Sequence, residues 1–96
     1  MAYFLVLLHG IGIEIPGNDA DKPIVGFYAT RIVSASSPDE AESKAKSMVD
    51  HDWTTGEYAK SNVGAVPTLA LERIRRPGIL QRLTFKNTGY VFYPAE

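Results

Sequence analysis

The sequence has no cysteine among its 96 residues. That absence removes a disulfide framework, a thiolate metal site and a cysteine nucleophile, and it suits a reducing compartment. Neither sign of charge is in excess: ten Lys and Arg stand against eleven Asp and Glu, for a net charge of −1. A nucleic-acid-binding domain usually carries a basic surplus, so no nucleic-acid partner is expected. Long apolar runs are missing as well. The greasiest stretch, Tyr3 to Leu8, falls far short of the ~20 residues that cross a bilayer. No Lys or Arg precedes Lys22 to supply the basic start of a secretory signal. The expectation is a cytoplasmic protein with no membrane partner. Known phosphate and hydrolase signatures are absent too: there is no Walker pattern and no G-x-S-x-G elbow.

What is present reads as one globular domain over residues 1–96. Apolar residues make up 45% and charged residues 22%, with no repeat and no linker. Residues 3–15 are strand-like, "PGNDADKP" (Pro16 to Pro23) is a polar turn, and "IVGFYATRIVSA" (Ile24 to Ala35) is rich in β-branched and aromatic residues. These segments predict an antiparallel hairpin. Ser37 then stands as an N-cap, with Pro38 in the first turn and Glu40 three residues on, a capping box. Ala41, Ala45, Met48 and Val49 recur at helical spacing, and Glu40–Lys44 and Glu42–Lys46 are acid-then-base pairs four apart. Residues 54–67 read as irregular, with one helical turn around Glu57 to Lys60. Residues 68–75 and 88–94 read as strands, and "ILQRLTF" as at most a short helical turn.

The resulting ββαββ order predicts an α+β fold. It is a four-stranded, mainly antiparallel sheet in a ferredoxin-like or related split arrangement, with one main helix on one face. A crossover helix between strands two and three makes those strands parallel and leaves strand one between them.

Gly10 and Gly12 interrupt the first strand just after His9. A dinucleotide loop would need a third glycine and a helix next; here Ile15 stands in its place and a turn follows. Chain length favours a bend instead. Thirteen residues of straight strand span about 43 Å, whereas a domain of this size is about 32 Å across. Glycine is the residue that tolerates a bulge.

Both long strands are apolar on both faces, and one helix covers only one of them. A second copy of the chain is the simplest cover, so a homodimer is expected, with Leu5, Leu7, Ile11, Ile13 and Phe27 at the contact. If the hairpin closes with Ile15 opposite Ile24, His9 faces Thr30 and lies diagonal to Tyr28. Those residues with Arg31 are the candidate small-ligand or enzyme pocket, and Glu14 shares the Arg31 face as its pairing candidate. Asp50, His51 and Asp52 are adjacent on a helix and point apart, so no metal site and no cofactor is expected. Arg73, Arg75 and Arg76 form the basic cluster, read as charge that protects a sheet edge. The aromatic strand "KNTGYVFY" lacks the glycine that follows the first aromatic position in an RNA-recognition strand.

"GFYATRIVSASSPDEAESKA", Gly26 to Ala45, together with "GYVFYP", Gly89 to Pro94, resembles small uncharacterised bacterial α+β proteins of about 100 residues. The resemblance implies a hairpin feeding a Ser-Pro-capped helix and an aromatic last strand. It implies no activity. The functional expectation is a noncatalytic homodimeric binding or assembly module, with the His9 pocket as the alternative.

Overall fold

Seven elements make up the computed structural model, which describes residues 2–17 and 22–95. The middle of the polar turn, residues 18–21, lies outside the described residues. Strands β1 (Ala2–Ile15) and β2 (Ile24–Ala35) form the long hairpin. Helix α1 (Pro38–Thr55) and a short α2 (Glu57–Ser61) lead to β3 (Thr68–Arg75). A second short helix, α3 (Ile79–Thr84), precedes β4 (Val91–Pro94). The sheet order is β3-β1-β2-β4 with every neighbouring pair antiparallel. The fold is therefore α+β in a split arrangement. β1 sits between β2 and β3, as the crossover by α1 requires.

The hairpin register departs from the expected one. Ile15 does face Ile24, but from Ile11 onward the pairing is displaced, so that His9 faces Tyr28, Leu7 faces Thr30 and Val6 faces Arg31. The cause is a bulge in which Gly12, Ile13 and Glu14 oppose Val25 alone. Gly12 adopts φ 95° there, a conformation that L side chains rarely take. Gly10 has a different reason. It faces Phe27, whose ring occupies the space that a Cβ at position 10 would need. The bulge does not fold the ribbon back on itself: the molecule measures 46 × 22 × 22 Å, longer than a sphere of this chain length.

One face of the ribbon, with Val6, Leu8, Phe27, Ala29 and Val33, packs on Ala41, Ala45, Val49 and Trp53 of α1. The small alanines let the helix approach closely. Phe27 stacks on Trp53 at 5.1 Å between ring centroids, and Tyr58, Tyr90 and Phe92 complete the aromatic cluster. The helix is capped as its sequence requires, since the Glu40 backbone N–H donates to Ser37 Oγ at 3.2 Å. The Glu40 carboxylate accepts instead from Ser36, through its N–H at 3.2 Å and its hydroxyl at 2.8 Å. The pairs Glu40–Lys44 and Glu42–Lys46 form at 3.3 and 2.7 Å.

After α2 the chain is ordered by Asn62. Its Oδ1 accepts from the Glu14 N–H at 2.8 Å, and Val63 and Ala65 donate to the Glu14 and Gly12 carbonyls. The segment extends β1's pairing past the point where β3 begins.

Two residues expected at a self-association surface belong to this core. Phe27 is wholly buried beneath α1, and Ile13, turned inward by the bulge, is 3% exposed. Neither presents surface to a second chain.

Candidate functional site

The face of the sheet opposite α1 carries Tyr3, Leu5, Leu7, His9 and Ile11 from β1 and Tyr28, Thr30 and Ile32 from β2. Leu5 and Ile32 are buried there by the chain's own structure. Toward that end run α3 and the segment after it, with the Arg82 guanidinium 4.6 Å from the centre of the Tyr3 ring. Tyr3, Ile11, Tyr28 and Val91 stay exposed, as do Ile79, Leu80 and Leu83 of α3.

His9 sits at the middle of this face with both ring nitrogens engaged. Its Nε2 lies 2.7 Å from the Tyr93 hydroxyl, and its Nδ1 lies 3.5 Å from a Glu72 carboxylate oxygen. A carboxylate only accepts, so it favours the proton on Nδ1, and Nε2 then accepts from the Tyr93 hydroxyl. Tyr28 stacks on the imidazole at 4.6 Å and 12°. Tyr93 faces Gly26 across β2 and β4, and its ring fills the place of the missing side chain.

Arg31 lies on the other face. It is wholly buried, and it bridges a gap in the sheet. At Tyr28 the β2 edge is paired with Val91. At Ile32 the side chain of Asn87 both donates to the carbonyl and accepts from the N–H, each at 2.8 Å. Between those points the two segments part, and Arg31 Nη1 donates to the Thr30 carbonyl at 2.8 Å and to the Gly89 carbonyl at 2.9 Å. Its Nη2 is 3.8 Å from Asp52 Oδ2, and the guanidinium lies 4.8 Å from the Tyr90 ring centre. The Tyr90 hydroxyl donates to the same Asp52 oxygen at 2.6 Å. Burial, reinforced by that bond, pushes the Tyr90 phenol above its usual value, so it stays a donor.

On the open side of the same gap is a cavity of about 300 Å³. Leu7, Tyr28, Phe85 and Val91 supply apolar walls, and Thr30 and Lys86 supply polar groups. A larger cleft of about 510 Å³ beside Val33, Lys44 and Met48 is shallow. Its lysine already bonds to the Ser34 carbonyl at 2.6 Å and to Glu40.

The structure thus brings His9, Tyr28 and Thr30 onto one face but separates Arg31 from them. Glu14 is not its partner; Asp52 is. Of the residues expected at a self-association surface, Leu7 and Ile11 lie on the open face, Leu5 lies on it but is buried by the chain's own structure, and Phe27 and Ile13 belong to the core behind it. No sequence signal marks Glu72, Phe85 or Tyr93, and Lys86 reads only as a neighbour of the basic cluster. They arrive from segments far along the chain, 84 residues in the case of His9 and Tyr93. His51 is exposed on α1, across the sheet from His9, with the Thr55 hydroxyl 3.3 Å from its Nε2. Among the described residues no three His, Asp or Glu side chains are grouped to hold a metal, and no helix is long and apolar enough to cross a membrane. Arg73 and Arg75 lie on the edge strand β3, and Arg75 reaches Gln81 at 3.3 Å.

The chain matches no family model, no curated protein and no solved structure.

Proposed function

We propose that the chain is a noncatalytic assembly module that works as a homodimer, joined through the open sheet face and α3. The carrying observation is the set of uncovered apolar side chains on that side. Ile11 is 48% exposed and Val91 69%, while Ile79, Leu80 and Leu83 on α3 range from 69% to 77%. Large apolar side chains left exposed in this number on one side support an interaction site.

A second copy is the occupant that fits best. Glu72 and Arg73 stand side by side on the edge strand, so a two-fold axis lets each acid meet the other copy's base. A net charge of −1 sets up almost no repulsion between copies. A flank of a molecule 46 Å long and 22 Å wide is broad enough for the ~800 Å² per partner that stable interfaces bury.

Sedimentation equilibrium tests the reading. The expected species has twice the 10.5 kDa chain mass, and the double substitution Leu80→Glu, Leu83→Glu returns it to the monomer with its circular dichroism unchanged. A monomer at every concentration up to about 1 mM, where even −4 kcal/mol of association would register, overturns it.

A further inference from the structure

We propose that the cavity beside Thr30 is a binding site for a small aromatic carboxylate, its ring against Tyr28 and Leu7 and its charge on Lys86 and Thr30. Several observations converge on that chemistry. The volume of about 300 Å³ lies at the lower limit of small-molecule sites, room for one ring or two fused rings. Leu7, Tyr28, Phe85 and Val91 make the walls apolar and partly aromatic. A flat π-system gains there by offset or edge-on packing. Tyr28 is held in place by His9 stacked against it, so its ring need not be ordered when a ligand arrives.

The polar groups select the charge. Among the described residues, neither the Lys86 ammonium nor the Thr30 hydroxyl has a partner within the chain. One is a cation and the other a donor, and a carboxylate satisfies both. The competing acceptor at the wall, the Gly89 carbonyl, is already taken by Arg31 Nη1 at 2.9 Å. That bond also fixes the 86–91 segment that closes the cavity. Arg31 therefore acts as a positioning residue from the far side of the sheet and touches no ligand.

The cavity is lined by one chain but opens on the face proposed for the dimer contact, so its test is run on the Leu80→Glu, Leu83→Glu variant, which leaves that face free. Nitrogen-15-labelled protein is titrated with 2-naphthoate and, in parallel, with the uncharged 2-naphthamide. The expected result is saturable movement of the Thr30, Lys86 and Val91 amide signals by naphthoate. The neutral analogue should bind at least about tenfold more weakly, the equivalent of ~1.4 kcal/mol. Lys86→Met, an exposed position that leaves the fold intact, should erase that difference, and Thr30→Val should reduce affinity for both. The proposal fails if naphthoate gives no saturable shift at these residues up to about 10 mM. It fails equally if the amide binds as well as the acid, or if Lys86→Met leaves the preference in place.

Discussion

Arg31 is wholly buried, and the Asp52 carboxylate 3.8 Å from its Nη2 is the ion-pair partner that the described residues give it. Two of the guanidinium nitrogens, Nε and Nη2, have no hydrogen-bond acceptor among the described residues. An arginine held this way is costly to bury and costlier to leave without its counter-charge. Asp52→Ala should therefore destabilise the protein by about 2–3 kcal/mol, below the range for a fully buried pair because the Asp52 side chain is 40% exposed. Arg31→Met should cost less, since it removes the unmatched donors along with the charge. Added to Asp52→Ala, it should restore part of the loss. Urea unfolding of the two single variants and the double variant measures all three.

The bulge and the glycine-for-ring exchange make opposite predictions for two neighbouring glycines. At Gly10 a methyl would collide with the Phe27 ring, so Gly10→Ala should cost about 1–3 kcal/mol by overpacking. Phe27→Leu should relieve that clash in a double-mutant cycle. At Gly12 no atom lies within 4 Å of the added Cβ, and the penalty arises from φ 95° alone. Gly12→Ala should therefore show no coupling to Phe27, and Gly12→Asn, which tolerates positive φ, should be milder.

The start of α1 contributes to acid sensitivity. Bonds from Ser36, first its hydroxyl and then its backbone N–H, with Lys44 beside them, hold the Glu40 carboxyl below its usual value. A depressed carboxyl stabilises the fold above its unfolded pKa, and that contribution is lost as pH falls through the folded value. Glu40→Gln should flatten the fall in stability between about pH 5 and pH 3, followed as thermal midpoint against pH. The wild-type protein should show the steeper acid limb.

Much of the architecture was legible because local signals agreed with one another. Ser37, Pro38 and Glu40 mark the helix start, the alanines mark its inner face, and the two-faced apolarity of β1 marks it as an interior strand. The register was not legible. The bulge adds two residues to β1 at Gly12, a number that no local pattern encodes. Because the slip is two and the side-chain period is also two, the residues of β1 before the bulge kept their face and lost only their opposite neighbours, while Ile13 within it turned into the core. His9 thus gained Tyr28 in place of Thr30, while Arg31 stayed on the α1 side and found Asp52. The cavity was hidden for another reason: Phe85, Lys86 and Val91 reach β2 by tertiary contact alone. Gly26, inside a strand otherwise rich in bulky residues, is a sequence signal that a ring comes close there, as Gly10 is for Phe27. The apolar face of α3 was too short to stand out by periodicity.

The absence of cysteine makes the dimer face directly measurable, since one introduced thiol labels one site. Thr68 is exposed on β3 opposite Ile11, on the open face, and Ser43 is exposed on α1 behind the sheet. With a spin label at either position, pulsed dipolar spectroscopy gives the distance between copies. Packing through the open face predicts Thr68 labels closer together than Ser43 labels by roughly 20 Å, one helix-to-sheet spacing of ~10 Å in each copy. No dipolar signal from either label, or a shorter distance between the Ser43 labels, would contradict it.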